Sequence, residues 1–110
     1  MNPEELKKRT KRFALDVMRL VGSLPPVRTS DVLGRQLLRS ATSVGANYRA
    51  ACRARSKADF ASKIAIVEEE ADEFLYWLEL LKESELAEGS DVTTLLKEAD
   101  ELTAIFTAAS

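Results

Sequence analysis

The segment from Ser56 to Lys82, SKADFASKIAIVEEEADEFLYWLELLK, decides the fold of this chain. Its apolar residues recur at alternating spacings of four and three: Phe60, Ile64, Val67, Ala71, Phe74, Leu78 and Leu81. This spacing places them along one side of an α-helix, where they can pack against neighbouring helices. A helix over roughly 26 residues is about 39 Å long at about 1.5 Å per residue. The segment therefore predicts a long amphipathic helix that belongs to a bundle.

Three other segments show the same periodicity, so that helices are predicted over about 3–22, 30–54, 57–83 and 91–108. Pro25 and Pro26 follow the first helix, and Gly89 precedes the last. The candidate N-caps of the second helix are Thr29, Ser30 and Asp31. No segment reads as a strand. Residues 1–110 are therefore expected to form a single all-α domain, an antiparallel up-down-up-down four-helix bundle.

Gly45 lies in the middle of the second predicted helix, in a stretch rich in small residues. Glycine costs about 1 kcal/mol relative to alanine in a helix interior. Its presence therefore indicates either a close approach of another helix or a bend.

The charge of the chain is divided at its midpoint. Residues 1–55 contain 12 Lys and Arg but 4 Asp and Glu, a net charge of +8, whereas residues 56–110 contain 4 and 14, a net charge of −10. Either the two halves neutralise each other, within one chain or between copies, or one half faces a charged partner. One cysteine and no signal-peptide pattern favour a cytoplasmic protein, with no membrane segment.

Apolar residues surround the C-terminal part of the third helix almost completely. Between Phe74 and Leu81 only Glu79 is polar. A helix in a solitary bundle needs one apolar stripe, so a second buried side indicates contact with another subunit. The predicted oligomer interface consists of Tyr76, Trp77 and Leu80. The alternative is that Tyr76 and Trp77 only cover the end of the bundle.

Basic residues form stripes on the first two helices. The candidate nucleic-acid-binding residues, on one face of the second helix, are Arg35, Arg39, Arg49 and Arg53. Lys8, Arg12 and Arg19 align in the same way on the first helix. Aligned cations can follow a phosphate backbone independently of its sequence. The isoelectric point of about 5.2 favours the alternative, in which these arginines pair with the acidic helices of the same or a neighbouring chain.

Enzymatic activity has weak support in the sequence. The chain contains no histidine, which excludes histidine-based hydrolase dyads and the usual zinc sites. The acidic residues Glu69, Glu70, Glu73, Glu88 and Asp91 match the magnesium-site spacing of all-helical nucleotide pyrophosphohydrolases. The second pair, however, flanks the helix break at Gly89. No catalytic residue, metal site or cofactor is therefore predicted, and the magnesium-dependent hydrolase remains a weak alternative.

Two of these segments resemble a known family. The stretch QLLRSATSVGAN, residues 36–47, is similar to its second-helix signature, and Ser56 through Glu79 is similar to its third helix. This small four-helix-bundle family was first noticed as reading frames in intervening sequences of bacterial 23S ribosomal RNA genes, and it includes accessory proteins of diversity-generating retroelements. The resemblance implies a ring-like homo-oligomer of five subunits. In the retroelement branch it also implies a basic pentamer that binds nucleic acid and a reverse transcriptase.

Together these features predict a non-enzymatic binding or scaffold protein. Its expected partners are copies of itself and, through the basic helix faces, RNA, DNA or an enzyme that acts on nucleic acid. A purely protein–protein scaffold without a nucleic-acid role is the main alternative.

Overall fold

Four helices joined by short loops make up the fold in the computed structural model, which describes all residues from Met1 to Ser110. The helices are α1 (Pro3–Gly22), α2 (Arg28–Cys52), α3 (Lys57–Glu83) and α4 (Ser90–Ala109), and there is no strand. Helices adjacent in sequence pack on each other, and α1 also contacts α4, which closes an antiparallel bundle of 45 × 23 × 19 Å. None of the helices combines the length and the apolar character that a membrane span requires.

The buried core contains every residue of the stripe that predicted α3 except Phe60, which is half-buried against it. Two aromatic pairs join diagonal helices across the core. Phe13 of α1 meets Phe74 of α3 edge to face at 4.8 Å, and Tyr48 of α2 meets Phe106 of α4 at 5.6 Å between ring centroids. These diagonal contacts tie all four helices to one core, because each ring touches a helix that is not its neighbour.

Side-chain caps fix the starts of α1 and α3. Asn2 Oδ1 accepts the N–H of Glu5 at 2.9 Å, and Ser56 Oγ accepts the N–H of Asp59 at 3.0 Å. The Asp59 carboxylate in turn binds the Lys63 ammonium and the Arg55 N–H, and these bonds hold its pKa below the usual value. Both helices therefore begin where the sequence predicts.

The predicted cap of α2 is wrong. The helix begins at Arg28 after Val27, whose extended backbone has φ −120° and ψ 158°, and no side chain caps it. Pro25 and Pro26 have no N–H to continue α1 and lie in a bent connection, and α2 begins two residues after Pro26, before Thr29, Ser30 or Asp31. Ser30 consequently lies inside the first turn and is buried. At its other end α2 stops at Cys52, two residues before the predicted Ala54.

Small residues let α1 and α2 approach each other closely. A Cβ atom added at Gly45 would lie 3.4 Å from Thr10 Oγ1 on α1, and one added at Gly34 would lie 3.1 Å from Val21 Cγ1. Gly45 thus marks helix packing, and α2 runs through it as one continuous helix. The Thr10 hydroxyl donates to the Lys7 carbonyl at 3.1 Å, so its polar group is satisfied within α1.

These two glycines are expected to respond differently to substitution. Gly45→Ala adds a methyl group at ordinary contact distance and gains up to about 1 kcal/mol of helix propensity, so thermal unfolding should shift upward. Gly45→Leu should instead cost about 1–3 kcal/mol because its branches enter the space of Thr10. Gly34→Ala, where Val21 has to move, should stabilise less than Gly45→Ala. If Gly45→Leu raises the melting temperature, α1 does not pack against this position.

Ion pairs between the basic and acidic halves stabilise two of the helix contacts. Between α1 and α4, Arg9 Nε and Nη2 donate to the two carboxylate oxygens of Glu98 at 2.8 and 2.6 Å, and Nη2 also lies 3.3 Å from Glu101. The bonds to Glu98 raise the pKa of Arg9. Between α2 and α3, Arg39 binds Glu70 and Glu73. Part of the charge division in the sequence is therefore neutralised inside one chain.

Candidate binding surfaces

The four candidate arginines are exposed but differ in their partners; three lie on α2, and Arg53 follows directly after its last residue. Arg35 Nη2 donates to Asp31 at 2.8 Å, one turn away on the same helix. Arg39 reaches across to α3, where Nη1 lies 2.9 Å from Glu70 and Nη2 binds Glu73. Arg49 and Arg53 are exposed and form no ion pair. The structure therefore leaves two of the four guanidinium groups free of carboxylates.

A groove of about 510 Å³ runs between α1 and α2 and collects further cations. Its walls carry Lys7, Lys8 and Lys11 from α1 and Arg49 from α2, and we call it the basic groove. Its floor consists of small residues: Thr10, Ala14, Thr42, Gly45 and Ala46. Among these cations only Lys7 has a carboxylate partner, Glu4, which lies 3.0 Å away and is the single acidic residue of the lining. Because these floor residues are small, space remains between the cationic side chains, which border an open groove.

Some of the apolar residues that surround the C-terminal part of α3 remain exposed on the folded chain. Tyr76 is 54% exposed and Leu80 is 36% exposed. Trp77 is half-buried against the core, with its ring edge-on to Tyr76 at 5.2 Å, and its indole Nε1 is buried without a hydrogen-bond partner. The bundle therefore uses Trp77 in part for its own packing and leaves Tyr76 and Leu80 to solvent.

The exposed apolar surface extends onto α2. Arg39 lies at the level of Glu70 and Glu73, so Val32, two turns earlier on the antiparallel helix, lies at the level of Trp77 and Leu80. Val32 is 54% exposed. We call the surface formed by Val32, Tyr76 and Leu80 the apolar patch. It spans the C-terminal part of α3 and the second turn of α2.

The acidic residues of the pyrophosphohydrolase pattern do not converge. Glu70 and Glu73 are brought together on Arg39, whereas Glu88 lies in the α3–α4 loop and Asp91 in the first turn of α4. About ten residues of α3, about 15 Å at about 1.5 Å per residue, separate Glu73 from the end of the helix. No group of three or more acidic or cysteine side chains is arranged to hold a metal ion. The spacing in the sequence therefore does not become a spatial cluster.

Tyr48 and Cys52 adjoin a cavity at the opposite end of the bundle from the α3–α4 loop. Burial of the phenol, together with the neighbouring Cys52 thiol, raises the pKa of Tyr48 well above its usual value. The phenol therefore stays neutral at physiological pH and packs on Phe106 as part of the core.

Comparison with known proteins agrees with this architecture. Residues 4–108 match the sequence profile of the 23S rRNA-intervening sequence protein family. The chain belongs to this family. It is also similar to a protein of unknown function from the S23 ribosomal protein family of Bacteroides thetaiotaomicron, known from a crystal structure. The two share 33% sequence identity over 99% of this chain and 97% of that one, with a TM-score of 0.89. No curated protein matches the chain.

The sequence of this member of the 23S rRNA-intervening sequence protein family predicts only part of its basic surface. Lys8 and Arg49 stand out on their separate helices, but only the packing of α1 on α2 places them on one groove together with Lys7 and Lys11. The sequence feature that could have indicated the basic groove is the run of small residues in α2. Small residues at a helix contact leave room for a groove between longer neighbouring side chains. Val32 was missed because it is an isolated exposed apolar residue that is not among the buried residues of α2.

Proposed function

We propose that this protein is a non-enzymatic, homo-oligomeric binding protein of the cytoplasm that holds a single-stranded nucleic-acid backbone in its basic groove. The observation that carries the proposal is the groove itself, where Lys8, Lys11 and Arg49 are free of carboxylates. Such cations neutralise phosphates and release counterions, and this provides affinity without sequence selection.

The arrangement of charge supports binding despite the net charge of −2. Most acidic residues lie on α3 and α4, whereas the groove is formed by α1 and α2. The Debye length is about 8 Å at physiological ionic strength. The acidic side of the bundle is therefore largely screened from a ligand that lies in the groove.

Assembly strengthens the proposed interaction. The apolar patch is suited to contact with a second copy, since burial of Tyr76, Leu80 and Val32 removes exposed apolar area from water. In a ring of five copies the groove is repeated five times. Weak contacts in each subunit then add up along one strand, because each later contact is intramolecular.

Titration of a labelled single-stranded oligonucleotide at several salt concentrations tests the nucleic-acid role. The association constant should fall steeply with salt, with a slope of about −0.7 per phosphate neutralised. Absence of binding at low salt, with the protein folded and assembled, would rule this role out.

A pure protein–protein scaffold is the second candidate, and Arg39 favours it. Its guanidinium is held by Glu70 and Glu73 and is therefore used in the fold. If the assembly forms but binds no oligonucleotide at any salt concentration, the scaffold function is the one supported.

A further inference from the structure

A pocket of about 610 Å³ opens where the α1–α2 connection meets the start of α2. One wall is apolar and contains Leu24, Pro25 and Pro26. The other consists of the first turns of α2, with Arg28, Ser30 and Arg35. We call this the α2 N-terminal pocket. It shares no residue with the basic groove.

The backbone at this helix start has free hydrogen-bond donors. The N–H of Val27 donates to the Pro25 carbonyl at 2.8 Å and that of Asp31 to the Val27 carbonyl at 3.1 Å. Between them, the N–H groups of residues 28–30 have neither a backbone acceptor nor a side-chain cap. Free N–H groups and the positive end of the helix dipole together favour an anion.

Ser30 provides independent evidence that a ligand belongs here. It lines the pocket and is only 4% exposed, yet its hydroxyl has no hydrogen-bond partner. The two other buried hydroxyl groups of Ser or Thr, those of Thr10 and Ser40, both donate to carbonyls of their own helices. A buried hydroxyl without a partner is destabilising, so it points to a ligand that supplies the missing bond.

The net charge of the pocket lining indicates the charge of its ligand. Asp31 is neutralised by Arg35, whose Nη2 lies 2.8 Å from its carboxylate. Arg28 is exposed and has no ion pair, so the lining carries one net positive charge. The Arg28 guanidinium, the free N–H groups of Arg28 and Ser30 and the Ser30 hydroxyl match an oxyanion with several acceptor oxygens.

We propose that the α2 N-terminal pocket binds the phosphoryl group of a small organic phosphate, with the organic part against Leu24, Pro25 and Pro26. The N–H groups of Arg28 and Ser30 and the Ser30 hydroxyl donate hydrogen bonds to the phosphoryl oxygens, and Arg28 balances the charge. This site is separate from the basic groove and does not depend on nucleic-acid binding.

Amide NMR titration of the full chain with inorganic phosphate and with phenyl phosphate tests the proposal. Saturable shifts are expected at the amides of Arg28 and Ser30, with phenyl phosphate binding at least severalfold more tightly because of the apolar wall. Ser30→Ala and Arg28→Gln should each weaken binding severalfold. Both variants should fold, since the first removes an unsatisfied hydroxyl and the second changes an exposed side chain.

The N-terminus of α4 is the internal control, because it also lacks a side-chain cap but has no arginine in its first turn. Equal shifts at the Ser90 and Asp91 amides would mean that phosphate binds equally at another helix N-terminus, and this result would overturn the proposal. Acetate binding as tightly as phosphate would overturn the ligand class. Unchanged phosphate affinity in Ser30→Ala would overturn the role of the hydroxyl.

Discussion

Replacement of both Tyr76 and Leu80 by glutamate is expected to convert an assembly of several subunits into monomers of 12.2 kDa. Both side chains are exposed on the single chain, so glutamate there leaves the bundle core intact. In an assembly that buries the apolar patch, each carboxylate would have to leave water, at a cost of several kcal/mol. Light scattering at micromolar concentration measures the mass, and far-UV circular dichroism checks that the helices remain.

Leu15→Glu is the matched control for this experiment. Leu15 is 42% exposed, comparable to Leu80, but lies on α1 away from the apolar patch. We expect this variant to assemble like the wild type. If Leu15→Glu dissociates the assembly and the double variant does not, the contact lies on α1 and the patch is assigned wrongly. A wild-type protein that is monomeric at micromolar concentration would refute self-assembly itself.

The second large effect is expected from charge reversal in the basic groove. Lys11→Glu combined with Arg49→Glu places two carboxylates on opposite walls of the groove. Oligonucleotide affinity at low salt should fall by about tenfold or more, because phosphate contacts are lost and repulsion replaces them. Since neither residue forms an ion pair in the folded chain, stability should change little.

Two comparison variants show whether the groove or the total charge matters. Lys82→Glu with Lys97→Glu changes the net charge by the same amount on α3 and α4, and should leave most of the binding intact. Arg35→Glu with Arg39→Glu should mainly reduce stability, because Arg39 then no longer holds Glu70 and Glu73. If this last pair alone abolishes binding, the ligand follows the arginine stripe of α2 and the groove is not the site. Equal losses in all three double variants would mean that only total charge matters.

Much of the fold follows from local patterns. The α3 stripe, the Ser56 cap and the two prolines after α1 act within a few residues, so the sequence predicts their effects directly. The start of α2 was mispredicted because three good capping residues stand close together there. Which residue caps the helix depends on where the helix begins after Pro25 and Pro26. The capping preferences of single residues do not contain that information.

The amino-acid sequence by itself determined the helical class, the number of helices and nearly all core residues of α3, because helical periodicity and burial are linked residue by residue. It also determined that basic and acidic residues occupy different halves. Only the tertiary structure decided which charges cancel, since Arg39 meets Glu70 and Arg9 meets Glu98 across helices far apart in sequence. The basic groove, the apolar patch and the α2 N-terminal pocket likewise exist only where two helices meet. Their positions depend on how the helices pack, which the periodicity of one helix does not specify.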